Sequence, residues 1–390
     1  MTAGVEETLL TRENRAIDVL LHEWGHALAW NHLLDRLAES PDTSPEEFEQ
    51  ASHDEAGNRP RRSEGAAPAP AGGPRPKATV SRSWRRFAAG AFLTCAIGAA
   101  ARGDFDWTQA EAIAPGVSLG RMALTIPARP GLTCPQSADF DPAAPRPVAI
   151  ACARVDLTRR GLSFEATPRA EGWGRPMPPH GDTEFPGMVI RTALQTVPAF
   201  AAAERAAGVP VVLAVNASPW EPFVPGKAFA HADRLGLVVD DGVVVSPPAA
   251  GRPSLLIRRD GSAEMRVVGA DDDLADVETA VSGFSFCLVD GKPAPPDDVL
   301  HPRTGFGLSA DRRVLFILVA DGRQAASKGL TVHEVGALLR DLGADDGINM
   351  DGGGSTTLVA GAEPRLVNRP SGGLRRNGAN LAIAVAGDER

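Results

Sequence analysis

Residues 104–390 read as an α+β domain, a mixed and mostly antiparallel sheet with helices packed on it, and three observations predict this. Short apolar runs such as VPVVLAVNAS, RVLFILVADG and NLAIAVAG recur and stop at Asp-Gly, Pro or Gly, which punctuate strands. LGLVVDDGVVVSP and SLLIRRDGSAEMRVVG each set Asp-Gly between apolar halves, the pattern of a hairpin. Two stretches have helical spacing with a cap, and each leads straight into an apolar run. A separate helical segment stands before this domain.

Residues 1–57 hold that segment. AIDVLLHEWGHALAWNHLLDRLAES has helical apolar spacing, and His22-Glu23-Trp24-Gly25-His26 inside it is an H-E-x-x-H match. His22 and His26 fall one turn apart on one helix face, suited to Zn²⁺, with Glu23 as general base and His53 as a third ligand. The piece resembles the metal-binding helix of zincin metallopeptidases, but the short stretch before it leaves little chain for a cleft-forming sheet. A surface helix with two exposed histidines has the same pattern. Residues 58–80, rich in Pro, Ala, Gly and Arg, have no apolar period and read as a disordered linker.

Residues 81–103 join Arg82, Arg85 and Arg86 to an uncharged run ending in Ala99-Ala100-Ala101, the three parts of a signal peptide. This predicts an extracytoplasmic protein, secreted or periplasmic. Residues 87–101 are too few for a comfortable bilayer span of roughly 20 residues, so contact with a membrane follows only if the run stays as an anchor.

Within residues 104–390, TVPAFAAAERAAG has Thr196 as N-cap, Pro198 in the first turn and Gly208 at the stop. TVHEVGALLRDLG has a capping box of Thr331 and Glu334, a buried stripe of Val332, Val335, Leu338, Leu339 and Leu342, and Gly343 at its end. The formal charge of −9 argues against a nucleic-acid partner, which calls for a basic surface. Tyrosine is absent, so an aromatic-lined groove has few residues to draw on. The cysteines show no metal-ligand spacing, and Cys134 and Cys152 are the candidate disulfide pair of an exported chain.

Residues 349–359, NMDGGGSTTLV, put an acid and three glycines between two apolar runs. Adjacent glycines cost backbone entropy, so they mark a conformation or a close approach that a Cβ would block. With VLFILVADGRQ and the capped helix before it and VNRPSGGLRRNGANLAIAV after it, this loop resembles the phosphodiester glycosidase family. HPRTGFGLSADRR, LVDGK and LAVNASPW extend the likeness more weakly, over residues 150–388 in all. The resemblance implies hydrolysis of a sugar-1-phosphodiester of the GlcNAc-α-1-phospho-R type to free sugar and phosphomonoester. The substrate is then a phosphorylated glycan or a nucleotide-sugar-like small molecule. Ala217-Ser218-Pro219-Trp220 departs from the glycine- and aromatic-rich stretch usual in the family after the asparagine at this place.

Such a reaction needs an anionic phosphate held and an oxocarbenium-like charge stabilised. Arg303, Arg323, Arg369 and Arg376 are the candidate phosphate ligands, because a guanidinium donates two parallel hydrogen bonds. The N–H groups of Gly352, Gly353, Gly354 and Ser355 can form an anion nest, and Thr356 beside them is a further substrate-binding candidate. Asp351 serves as nucleophile, base or electrostatic partner, and Asp321 is the second carboxylate, although Asp321-Gly322 reads equally as a turn. Arg323 and His301 complete the catalytic candidates. Asn216, Thr304, Asn349, Asn368 and Asn380 are candidates for sugar hydroxyls or for holding backbone. No cofactor is required for this chemistry. A hard divalent cation on Asp and Asn oxygens is compatible with the pattern, and Zn²⁺ belongs with the first segment. Two other readings carry different expectations: a zinc metallopeptidase working through HEWGH, and a non-catalytic envelope module binding phosphorylated glycans.

Overall fold

The computed structural model describes residues 105, 107–137, 139–223, 227 and 229–387. The H-E-x-x-H helix with His22, Glu23, His26 and His53, the linker and the basic–apolar run therefore lie outside the described residues.

The largest sheet has eight strands in the order Glu111–Ala114, Val117–Ile126, Arg146–Asp156, Val314–Ala320, Arg303–Leu308, Asp346–Asn349, Ser285–Val289, Lys292–Pro293. Two five-stranded sheets accompany it. One runs Ala263–Val267, Pro253–Arg258, Val277–Ser282, Val238–Asp240, Val243–Ser246, and the other Arg365–Leu366, Leu358–Ala360, Val211–Asn216, Asn380–Val385, Leu162–Ala166. Every strand pairing within these sheets is antiparallel. Both expected hairpins form, at 238–246 and 253–267.

The helices are α1, Val197–Ala206, and α2, Val332–Leu342. Thr196 caps α1 through the Ala199 N–H. In α2 the Thr331 hydroxyl takes the Glu334 N–H while Glu334 takes the Thr331 N–H, the full capping box, worth about 1 kcal/mol. Gly343 ends the helix in the left-handed conformation at φ 112°. Val335, Leu339 and Leu342 are buried against Cys287, Leu288, Phe316 and Leu318, with Val332 and Leu338 half-buried at the edge. Each fully buried side chain of this kind stabilises by roughly 1.5–3 kcal/mol. One charge joins this core: Glu334 pairs with Arg146, both at most 4% exposed. Helix α1 buries Val197, Phe200 and Ala201 against Val211, Ala214, Val359 and Ala382 of its sheet.

The expected disulfide does not form. Cys134, Cys152 and Cys287 are buried free thiols, and they belong to different packing groups. Cys152 lies in the core under α2, whereas Cys134 packs with Leu132 and Leu300. Burial pushes all three thiols up, which keeps them protonated and inert.

Candidate active site

Many strands stop or start at one place. Val211–Asn216 ends there, Asp346–Asn349 ends there, and Arg303–Leu308, Leu358–Ala360 and Asn380–Val385 begin there. The residues between Asn349 and Leu358 are the glycine loop, with a single 3-10 turn at Gly353–Ser355. Strand ends expose backbone groups, and this loop collects them. Asp351 N–H donates to the Ala217 carbonyl at 3.0 Å, and Gly353 N–H to the Pro302 carbonyl at 2.8 Å.

Asn216 holds both sides of the loop. Its Nδ2 donates to the Asp351 carbonyl at 2.6 Å, and its Oδ1 accepts from Thr304 Oγ1 at 2.8 Å and Thr357 N–H at 3.0 Å. Asn216 and Thr304 are each 0% exposed, so these bonds form away from water, where breaking them costs most. Gly352 N–H donates to Asp351 Oδ1 at 2.9 Å and fixes the rotation of the carboxylate.

The glycines are there because side chains and backbone occupy the space a Cβ would need. At Gly354 a Cβ would stand 2.4 Å from Nη2 of Arg375, and at Gly353, whose φ is +59°, 3.2 Å from Nη1 of Arg323. At Gly352 it would stand 2.9 Å from the Pro302 carbonyl oxygen. The loop is thus a flat seat for two guanidiniums.

Arg375 and Arg252 both lie in the field of Asp351. Burial lowers the pKa of each guanidinium, and Asp351 pushes back up on both; Glu221 acts on Arg252 as well. Each arginine is braced by a ring: Arg375 Cζ is 4.8 Å from the centre of Phe223, and Arg252 Cζ is 6.0 Å from that of Phe284. Phe284 is tied to the site through its N–H, which donates to the Asn349 carbonyl at 2.9 Å. Trp220 stands edge-on to Phe223 at 5.7 Å. On the other flank Arg323, with φ +59°, places Nη2 2.5 Å from Nδ1 of buried His301. A guanidinium can only donate, so Nδ1 accepts, and the neutral His301 ring carries its proton on Nε2.

Of the residues singled out from the sequence, Asp351, Asn216, Thr304, Gly352, Gly353, Gly354, Ser355 and Thr356 form or hold the loop, and Arg323 and His301 border it. Asn349 is buried, and its carbonyl anchors Phe284. Asp321 and Asn368 are bonded to each other at 3.0 Å beside the loop exit. Arg303 is buried with Nε on the Leu330 carbonyl and Nη2 on the Val299 carbonyl, both at 3.1 Å. Asn380 is buried with its N–H on Thr167 Oγ1. Arg369 and Arg376 are exposed.

Sequence reasoning missed Arg252, Arg375, Phe223 and Phe284. A signal existed for two of them. Arg252 directly precedes a buried strand, where a stray charge is costly, and Arg375-Arg376 in a glycine-rich loop supplies one half-buried and one exposed arginine.

Among the described residues, three carboxylates with metal-like spacing, Asp290, Asp345 and Asp346, lie within 4.8 Å of one another. They sit at the start of the strand whose end carries Asn349, and Arg312 already pairs with Asp346 at 2.5 Å.

The phosphodiester glycosidase family model matches residues 210–385. Among solved structures, the catalytic domain of zebrafish N-acetylglucosamine-1-phosphodiester alpha-N-acetylglucosaminidase, auto-inhibited by its pro-peptide, aligns at a TM-score of 0.50 and 18% identity. That alignment covers 71% of this chain and 86% of the zebrafish chain, a likeness of fold. A hypothetical protein from Synechocystis aligns at a TM-score of 0.47 and 10% identity, over 70% of this chain and 62% of that one. The SPbeta prophage-derived uncharacterized protein YomE of Bacillus subtilis is 29% identical over 182 residues, 42% of this chain. The match spans 26% of YomE, about a quarter of its length. Residues 210–385, the stretch similar to the phosphodiester glycosidase family, hold the glycine loop and the arginines around it.

Proposed function

We propose that this domain hydrolyses sugar-1-phosphodiesters of the GlcNAc-α-1-phospho-R type, releasing the sugar and a phosphomonoester, on an extracytoplasmic glycan. The observation that carries the reading is the glycine loop beside Asp351, with Arg375 against Gly354, Arg323 against Gly353, and Arg252 and Arg375 in the field of Asp351. Guanidiniums gathered at a glycine loop suit a phosphodiester anion, because each can donate two parallel hydrogen bonds to its oxygens. Arg375 and Arg323 hold the phosphate oxygens. The loop N–H groups do not form the expected anion nest, because Gly352 donates to Asp351 Oδ1, Gly353 to Pro302, Ser355 to Gly352 and Thr356 to Gly353. Phosphate leaves readily, so strong acid assistance is not needed. The demand falls on stabilising the sugar cation, and Asp351, its rotation fixed by Gly352 N–H, is the carboxylate at hand. The export reading rests on the signal-like pattern of residues 81–103.

The test is release of GlcNAc from UDP-GlcNAc or a simple GlcNAc-α-1-phosphodiester by the full chain. Hydrolysis by wild type that falls by roughly 10³-fold or more in Asp351→Asn is the expected outcome. Binding of the diester with no release by either protein would replace this reading with the non-catalytic glycan-binding module.

A further inference from the structure

We infer that Asp321 and Asn368 form one strut that positions the exit of the glycine loop, an inference that rests on the proposed hydrolysis at Asp351. Asp321 continues the strand Val314–Ala320, its N–H donating to the Ala149 carbonyl at 2.9 Å while its own carbonyl accepts from Ser327 Oγ at 2.5 Å. Its backbone is therefore part of the sheet. Its carboxylate Oδ1 accepts two bonds, from Asn368 Nδ2 at 3.0 Å and from Arg369 N–H at 2.9 Å.

Asn368 then passes this anchor to the loop. Its Nδ2 also donates to the Thr356 carbonyl at 3.1 Å, and its Oδ1 accepts the Leu358 N–H at 2.8 Å. These two bonds straddle Thr357, whose own N–H is taken by Asn216. Two asparagines thus grip the three residues after Ser355, Asn216 from one strand end and Asn368 from the Asp321 side. Arg323, two residues beyond Asp321, rests against Gly353, so the same short segment sets both the loop exit and one guanidinium on it.

The surroundings of Asp321 point the same way. Its side chain lines a cleft of about 280 Å³ whose other walls include Arg121, Met122, Ala149, Ile150 and Val367. None of Asp351, Arg252, Arg323 or Arg375 is among the lining residues. Burial pushes the Asp321 carboxyl up, and the Asn368 and Arg369 bonds hold it down. An acceptor of two N–H groups needs an oxygen at that spot, not a charge, and an asparagine there supplies the same oxygen. This makes Asp321 and Asn368 positioning residues.

The experiment compares Asp321→Ala, Asp321→Asn, Asn368→Ala and the double alanine variant in the full chain. Turnover of a GlcNAc-α-1-phosphodiester is measured across pH, and amide hydrogen exchange is followed over residues 352–358. Both alanine variants should lose about 10- to 100-fold in kcat with a smaller change in KM, as expected of misplacement by an ångström or less. Because they break one strut, the double variant should be no worse than the poorer single one. Asp321→Asn should return kcat to within about five-fold of wild type, with an unchanged pH profile. Exchange should speed up in the alanine variants and not in Asp321→Asn.

Asp321→Asn as impaired as Asp321→Ala, with one limb of the pH profile gone, would overturn the inference and make Asp321 a proton-transfer group. Wild-type kcat and exchange in Asn368→Ala would overturn it too. If even wild type cleaves no diester, exchange decides alone: faster exchange in the alanine variants sustains the strut while the hydrolysis reading falls.

Discussion

The two ends of the strand Asp346–Asn349 and the helix beside it use glycine and charge in opposite ways. Under α2, glycine lets backbone meet backbone: a Cβ at Gly336 would stand 1.8 Å from the Cys287 carbonyl oxygen. In the loop after Asn349, glycine lets guanidiniums meet backbone, as at Gly354 with Arg375. Charge divides likewise. The α2 core contains one ion pair, Arg146 with Glu334, closed within the chain. At the loop, Arg252 and Arg375 lie in the field of Asp351, and Arg323 rests against Gly353. One region uses its close contacts for packing, and the other uses them to bring charged side chains against backbone.

The sharpest way to break this contrast is a pair of alanine substitutions. Gly336→Ala forces a carbonyl oxygen out of contact and should cost more than about 3 kcal/mol, beyond ordinary overpacking. That lowers the melting temperature followed by circular dichroism by roughly 6–12 °C. Gly354→Ala meets only the end of a flexible side chain, so it should keep the melting temperature and lose turnover as Arg375 is displaced. Equal losses of stability in both would erase the distinction.

The ion pair gives the next effect. Glu334→Gln keeps an oxygen for the Thr331 N–H but leaves Arg146, 2% exposed, without its counter-charge. A loss of about 3 kcal/mol in urea unfolding follows. A variant as stable as wild type would mean the pair adds nothing to the α2 core.

The smallest effect lies away from both regions. Asp240 accepts the Ala166 N–H at 2.9 Å, and burial, with help from Glu165, Glu204 and Asp241, raises its carboxyl to about 7. A raised carboxyl binds its proton more tightly folded than unfolded. Wild-type stability therefore falls as pH rises from about 4 to about 7 and stays reduced above that. Asp240→Asn keeps the acceptor and removes the charge, so it should be more stable than wild type at pH 8 and nearly equal at pH 4. A stability difference that does not change with pH would show that Asp240 is not the titrating group.

Local pattern carried much of the fold. Helix α2 was legible to its capping box and final glycine because those features act within a turn of the chain. The 238–246 and 253–267 hairpins were legible because register in a hairpin follows from the turn. Whether Cys134 and Cys152 pair was not legible in the sequence, because spacing says nothing about which cluster a cysteine packs into. Cys152 went to the α2 core and Cys134 to another cluster.

The site divides along the same line. Asp351 and its glycines stood out because an acid beside three glycines is costly in a strand connection, whatever surrounds it. The chain alone therefore determined the loop, its acid and the helix and strands that flank it. Which arginines stand beside it was decided by folding. Arg252 and Arg375 arrive from segments 123 residues apart (375 − 252), and side-chain burial, not spacing, separates Arg375 from its exposed neighbour Arg376. The physical reason is range. Caps, turns and alternation act over a few residues, whereas desolvation and the field of a carboxylate depend on every element packed around it.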